Sequence, residues 1–265
     1  MTESTKRHSE VTPEHEEESS MTWREHFADL RHSLIYGLGA VLLCALVSLF
    51  FFEELYQIFT QPLYDTLDRL KLDKAIKFRT VQGGFLFHIK VSIIAGLVCG
   101  MPAVTYQVWR FVAPGLYRNE RKLGVLLVTT TTLFFISGVC FGYFMLMPYS
   151  FDYLLSYTMT LKDGSQLLPD ITLEDYSSTF IKLILASGLS FETPVFIGFL
   201  AHVGLVTHRH LIAGWRWATV FVFIIAAILT PPDYITQTML ALPLMSFYAL
   251  SIGVAWWIAK RNEAS

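Results

Sequence analysis

The sequence predicts an all-α integral membrane protein that crosses a bilayer six times, and three observations lead to that fold class. Hydrophobic residues make up 53% of the 265 positions and charged residues only 16%, whereas average proteins carry about 25% charged residues. Because a soluble surface needs charge to cover it, the apolar excess points to lipid as the solvent. Six long apolar runs follow one another, and they are continuous rather than alternating as in membrane-spanning strands.

The six runs give the expected helices in order: 33–52, 85–109, 123–147, 177–206, 212–230 and 235–258. A helix needs about 20 residues to cross the hydrocarbon core of a bilayer, and lipid does not tolerate unpaired backbone groups. The first four runs are long enough, the fifth is marginal, and Pro243 interrupts the sixth. We therefore expect the last two helices to be short, either thinning one side of the bundle or tilting less than the others.

The first 22 residues contain six glutamates, one lysine, one arginine and no aromatic residue. Such a segment cannot bury enough apolar surface to fold, so it is predicted to be a disordered acidic tail. It lacks the order of a charged region followed by an apolar region, and the small-residue cleavage site, that are typical of a signal peptide. The predicted organisation is a cytoplasmic tail over 1–22, a six-span membrane domain over 23–258 and a short cytoplasmic C-terminal tail over 259–265.

Loop charges predict the orientation of the chain. The segments on the side of the two termini carry eleven Lys and Arg residues, and the segments on the other side carry six. Because basic loops stay in the cytoplasm, we expect both termini to be cytoplasmic. Segment 53–84 lies on the other side and mixes five basic with five acidic residues, which indicates a small folded cap on the outer face.

Several function classes find no support in the sequence. The net charge of −2 gives no basic field for nucleic acid, and there is no phosphate-binding loop, zinc spacing or nucleophile elbow. Each of the three cysteines, Cys44, Cys99 and Cys140, stands alone in a different apolar run, and we interpret all three as small buried hydrophobes. We expect neither enzymatic activity nor a cofactor or metal.

Glu192 lies in the middle of the fourth run, in the sequence SFETP. A charged side chain there costs on the order of 3 kcal/mol. Two residues later, Pro194 removes a helix hydrogen bond and favours a kink. The pair indicates a polar cavity or a helix-docking site, with a structural, protonated glutamic acid as the alternative.

Three further clusters lie at the ends of the runs. HFADLR, within residues 25–34, forms an amphipathic entry to the first span. YQVWRFVAPGLYRNERK, residues 106–122, combines boundary aromatics with Glu120 inside a basic loop, where it could receive a guanidinium from another chain. TPPDYITQ follows the fifth run: Pro231 and Pro232 end that helix, and Asp233 is suited to cap the next.

These four clusters together resemble the TatC family, the multi-spanning subunit of the twin-arginine protein translocase, over about residues 23–258. The resemblance implies a concave, glove-like bundle of six helices without catalytic chemistry. It also implies an oligomeric complex in the bacterial inner membrane that exports folded precursors. The expected partners are twin-arginine signal peptides and single-span proteins similar to TatA and TatB, together with the lipid bilayer and no nucleic acid.

The resemblance also assigns roles to residues. Those implied to bind the signal peptide are Asp29, Arg31, Phe111, Glu120 and Arg121. Those implied to dock the partner helices are Glu192, Thr230 and Gln237, beside the structural turn Pro231, Pro232 and Asp233. The sequence departs from the family twice: Asp29 replaces the usual glutamate, and Ala249 follows Tyr248 where the family often has glutamate.

Two other functions compete with this interpretation. One is an ion- or proton-coupled secondary transporter that uses Glu192 as the coupling carboxylate. The other is a membrane-embedded enzyme, for which His202 and His208 lie near one span end without a matching acidic motif. Co-purification with a small single-span protein would favour the translocase.

Overall fold

The computed structural model describes residues 23–112, 121–157, 159–160, 166–167 and 169–263. Its helices within these ranges are α1 (Trp23–Phe50), α2 (Phe52–Leu70), α3 (Gly83–Val112), α4 (Arg121–Phe141), α5 (Met147–Leu155), α6 (Leu173–Phe191), α7 (Thr193–His202), α8 (His208–Leu229) and α9 (Tyr234–Glu263). A π-helical segment, Gly142–Leu146, joins α4 to α5. Two short antiparallel strands, β1 (Met159–Thr160) and β2 (Gln166–Leu167), pair Met159 with Leu167. The predicted tail 1–22 lies outside the described residues.

Six segments of the described chain are long and apolar enough to cross a membrane, which confirms the predicted fold class. They are Ala28–Phe50, Gly83–Val112, Gly124–Leu155, Leu173–His202, His208–Leu229 and Tyr234–Lys260. The third span joins α4, the π-helical segment and α5, and the fourth joins α6 and α7. Each lies close to one of the apolar runs, because the demand for paired backbone groups in lipid acts locally.

The expected shortening is wrong for the sixth helix, whereas the fifth is the shortest of the six spans in the described part of the chain, as its marginal run predicts. The fifth span has 22 residues, and α9 continues for 30 residues through Pro243. Transmembrane helices tolerate proline because local adjustment and neighbouring groups satisfy the freed carbonyl. Both helices are therefore long enough to cross, and α9 extends beyond the predicted domain end at residue 258.

Small residues set the closest contact between spans, where α1 packs along α3. A Cβ atom added at Gly96 would lie 2.5 Å from the backbone nitrogen and Cα of Ala45. Only glycine permits this approach, as is usual for close helix pairs in membranes. Gly138 of α4 lies equally close to α6, since its added Cβ would be 2.6 Å from the Ser187 carbonyl oxygen. The hydroxyl of Ser187 donates a hydrogen bond of 2.7 Å to the Gly138 carbonyl across the same contact.

The segment predicted to be a cap contains α2, which packs against α3 and α5. Its Phe59, Leu63 and Leu67 side chains are buried in a core shared with α3, α5 and α6. The strand-like residues after α2 are tied to the start of α6, because Leu173 donates a backbone hydrogen bond of 2.9 Å to the Lys77 carbonyl. The cap thus closes the end of the bundle at which α3 and α6 begin.

Two tyrosines of α2 share a hydrogen bond in this cap. The hydroxyls of Tyr56 and Tyr64 are 3.3 Å apart. Burial, followed by this hydrogen bond, raises the pKa of Tyr56 to about 12. Tyr56 therefore stays neutral through the whole physiological range.

The prediction that the three cysteines are buried in the protein is wrong. Cys99 and Cys140 are exposed on the surface of the bundle, and Cys44 is half-buried. Apolar runs in a membrane protein have lipid as an alternative to a protein core. A small apolar side chain can therefore face outward without cost.

Candidate functional site

Three of the five residues implied to bind a signal peptide lie on the start of α1 or near the end of α3. Asp29 and Arg31 are exposed, and Phe111 is half-buried near the last residue of α3. Glu120 lies outside the described residues. Arg121 is the first residue of α4, and its side chain is likewise outside the described part.

The antiparallel packing of α1 and α3 determines which parts of these helices are neighbours. A Cβ atom added at Gly100 would lie 3.2 Å from Val41, and one added at Gly37 would lie 3.9 Å from Val104. From one such contact to the next, the chain advances four residues along each helix, in opposite directions. Two more steps from Gly37 bring Asp29 level with the C-terminal end of α3 at residue 112.

Trp109 is a structural anchor that the sequence interpretation missed. The sequence predicts that this aromatic cluster lines the membrane boundary. The exposed Tyr106 agrees with that prediction, but Trp109 is only 7% exposed. Its indole nitrogen donates a hydrogen bond of 2.9 Å to the hydroxyl of Thr131 on α4, and its ring contacts Phe199 of α7. The indole N–H of a tryptophan can find a hydrogen-bond acceptor inside a helix bundle as well as at the membrane boundary. The residue type alone therefore does not show which of the two positions a tryptophan occupies.

Glu192 interrupts the fourth span. It is both the last residue before α7 and the cap of α6, with Pro194 in the first turn of α7. Glu192 keeps right-handed helical dihedral angles, and the Phe196 backbone N–H donates to its carbonyl at 3.0 Å. The chain therefore changes from α6 to α7 through a single-residue turn, and the two helices form one span. The carboxyl oxygen Oε1 of Glu192 is buried and accepts no hydrogen bond within the described part of the chain. Such a group favours any partner that can offer a donor.

The turn between α8 and α9 is held by internal hydrogen bonds. Thr230 is 6% exposed, and its hydroxyl donates to the Ala226 carbonyl at 2.8 Å. Asp233 accepts from the Thr236 backbone nitrogen at 2.6 Å at the start of α9. The side chain of Gln237 donates to the Phe223 carbonyl at 3.1 Å and so joins α9 to α8.

Pro231 and Pro232 lie between these two helices, outside both of them. Pro232 is exposed, whereas Pro231 is half-buried. Neither residue can continue α8, because proline carries no backbone N–H. The turn is thus tight, and it leaves the first residues of α9 next to the end of α8.

The three residues implied to dock partner helices do not lie together. Phe191 packs against Phe247 with ring centroids 4.6 Å apart, so Glu192 is level with that part of α9. Gln237 precedes Phe247 by ten residues of α9, which is about 15 Å at 1.5 Å per residue. Thr230 and Gln237 form one polar level at the α8–α9 turn, and Glu192 forms another, deeper along the bundle.

Residues suited to other chemistry are scarce. Within the described ranges, His, Cys, Asp and Glu side chains form no group that could hold a metal ion. His202 ends α7 and His208 begins α8, on either side of a short connection. These features define a multi-pass helical membrane protein with polar groups at the ends and middle of its spans.

Comparison with known proteins identifies the family. The family model described as Sec-independent protein translocase protein (TatC) matches residues 25–243. The TatC proteins of Koribacter versatilis and Helicobacter pylori strain J99 are 33% and 35% identical, over 92% and 91% of this chain and 88% and 92% of theirs. The chain belongs to the TatC family.

Solved structures agree with this assignment. A crystal structure of the twin arginine translocase receptor TatC matches with a TM-score of 0.75 and 28% identity, covering 89% of this chain and all of that one. A second, in DDM, matches with a TM-score of 0.76 over 87% of this chain and 99% of that one, also at 28% identity. The chain is therefore a multi-pass component of the Tat protein translocase, which is not an enzyme.

Proposed function

We propose that this chain is the core subunit that binds the twin-arginine signal peptides of folded precursors at the cytoplasmic face of the bacterial inner membrane. In this proposal it works in an oligomeric complex and docks single-span partners similar to TatA and TatB. The observation that carries the proposal is the α1–α3 register, which makes the start of α1 a neighbour of the end of α3. Asp29 lies on the first of these two parts. Glu120 follows the second part in the sequence and is itself outside the described residues.

The two arginines of the signal peptide are chemically suited to bind two carboxylates at the cytoplasmic edge of the bundle. Each arginine of a twin-arginine pair offers a planar fork that can bind a carboxylate through two hydrogen bonds. Asp29 is exposed, and one exposed ion pair contributes only about 0–1 kcal/mol. Discrimination between arginine and lysine therefore requires both acids together, with Arg31, Phe111 and Arg121 shaping the surface around them.

Crosslinking of a twin-arginine precursor in native membranes tests the signal-binding role. The double variant Asp29→Ala, Glu120→Ala should lose the crosslink, whereas Asp29→Glu should keep it because the charge is retained. Glu54→Ala is the matched control, since Glu54 is an exposed acid on α2 at the capped end of the bundle. Unchanged crosslinking in the double variant would contradict the proposal.

Partner docking is proposed for two levels of the bundle, Glu192 in the middle and Thr230 with Gln237 at the α8–α9 turn. The buried, unpaired oxygen of Glu192 supports this role, because a partner helix that offers a donor is favoured there over lipid tails. Glu192→Gln keeps the hydrogen-bonding capacity and should retain much of the partner crosslinking and transport. Glu192→Ala should lose both. Equal loss of transport in the two variants at matched expression would favour the proton-coupled alternative.

Cysteine labelling tests the proposed orientation of both termini in the cytoplasm. Single cysteines are introduced after Cys44, Cys99 and Cys140 have been replaced by alanine. A cysteine within 60–80 should react with an impermeant reagent from outside, and one within 110–122 should not. The reverse pattern would invert the topology and would also refute signal binding at Asp29 and Glu120, since both would then face the wrong compartment.

A further inference from the structure

A cavity of about 520 Å³ lies between α2 and the end of the third span, on the capped side of the bundle. Its walls include Asp65 and Arg69 from α2, and Tyr143, Phe144, Tyr149 and Asp152 from the π-helical segment and α5. We call it the interfacial cavity. None of these residues belongs to the signal-binding or partner-docking sets.

The charges in the interfacial cavity favour a cation. Arg69 is paired with Asp152, its Nη2 atom lying 3.0 Å from Oδ2 of the carboxylate. Asp65 is exposed to the cavity and makes no ion pair with any described residue. The lining therefore carries one uncompensated carboxylate beside one neutralised pair.

The aromatic walls select the kind of cation. Tyr143 is held in place because its hydroxyl donates a hydrogen bond of 2.7 Å to the Ile58 carbonyl, and its ring lies 4.9 Å from that of Phe144. Phe144 and Tyr149 keep 70% and 51% of their surface exposed. Open aromatic faces attract organic ammonium groups, whereas a divalent metal ion needs a shell of six or more oxygen ligands.

The depth of the cavity selects the source of that ammonium group. Tyr143 lies about 28 Å along the third span from Gly124 at 1.5 Å per residue, close to the thickness of about 30 Å of a hydrocarbon core. Exposed residues at helical spacing, Leu133, Ile136 and Cys140, lead from the middle of the span to Phe144. A headgroup in the cavity could thus continue into an acyl chain along this apolar stripe.

We propose that the interfacial cavity binds the headgroup of a zwitterionic phospholipid that carries a primary ammonium, such as an ethanolamine lipid. The ammonium lies between Asp65 and the aromatic rings, and the phosphate faces the guanidinium of Arg69. One acyl chain follows the stripe that ends at Phe144. This lipid site is independent of signal binding and of partner docking.

Native mass spectrometry of the purified full chain tests the site. The protein is titrated with phosphatidylethanolamine or phosphatidylglycerol of identical acyl chains. We expect the ethanolamine lipid to bind about fivefold more tightly than the glycerol lipid. A gain in affinity of this size is typical of one ammonium group that contacts an aromatic ring and a carboxylate. Asp65→Asn should remove this preference. Asp68→Asn should retain it, because Asp68 is an exposed acid of the same helix that pairs with Lys74.

One further variant and one competition experiment separate the contributions of the aromatic ring and the acyl chain. Phe144→Leu keeps the apolar stripe but removes the aromatic face, so the preference should shrink while total lipid binding stays. Soluble phosphoethanolamine at the lipid concentration should not compete, since it lacks the acyl chain. Equal binding of the two lipids, equal effects of Asp65→Asn and Asp68→Asn, or effective competition by soluble phosphoethanolamine would each overturn the proposal.

Discussion

Replacing Gly96 by alanine should separate α1 from α3. The added Cβ would lie 2.5 Å from the backbone nitrogen and Cα of Ala45, about 1 Å inside ordinary van der Waals contact. Backbone atoms cannot rotate away as the end of a side chain can, so the two helices must move apart. Overpacking of this kind typically costs about 1–3 kcal/mol, and α1 makes its main contacts with α3.

Unfolding of the purified chain in detergent, titrated with SDS, measures this effect. Gly96→Ala should lower the free energy of unfolding by about 1–3 kcal/mol, whereas Gly39→Ala should not, because no atom lies within 4 Å of a Cβ at Gly39. Adding Ala45→Gly to Gly96→Ala should restore little, since two of the three close atoms are backbone. Equal stability of the Gly96 and Gly39 variants would refute the packing argument.

Three further predictions concern two buried hydrogen bonds and one tyrosine. Trp109→Phe should lower the free energy of unfolding by about 1 kcal/mol, and adding Thr131→Val should cost little more; additive losses in a double-mutant cycle would speak against the bond. Ser187→Ala removes the donor to Gly138 and should cost about 0.6 kcal/mol in the same assay, so unchanged stability would show that the bond contributes nothing. Because the fold raises the pKa of Tyr56 from 10.0 to about 12, its neutral form stabilises the folded state below pH 10. That contribution is lost as pH rises toward 12, and an identical pH profile for Tyr56→Phe would exclude it.

The positions of the spans could be predicted from the sequence because the signals are local. Crossing the hydrocarbon takes about 20 apolar residues in a helix. The first four runs meet this demand by their own composition, and the fifth and sixth come close enough to be recognised. The effect of Pro194 on the fourth span is local in the same way, since a missing N–H acts within one turn. The four sequence clusters were likewise sufficient to indicate the TatC family.

Proline also shows where local signals stop. Pro194 accompanies a single-residue turn at Glu192, whereas α9 continues as one helix through Pro243. Neighbouring helices and local backbone adjustment decide whether the freed carbonyl is satisfied. The residue type does not carry that information, so the predicted shortening of the sixth helix was wrong.

The membrane class, the six spans and the family that the motifs indicate follow from the amino-acid sequence. Which residues meet in space follows from how the helices pack. The register of α1 against α3 depends on the close contact of Gly96 with Ala45, and the separation of Glu192 from Gln237 depends on how α6 packs on α9. Asp65 and Asp152 reach one cavity from distant parts of the chain. Composition sets the energy of each helix in lipid, whereas lipid tails and apolar side chains are so alike that only close packing between helices selects their partners.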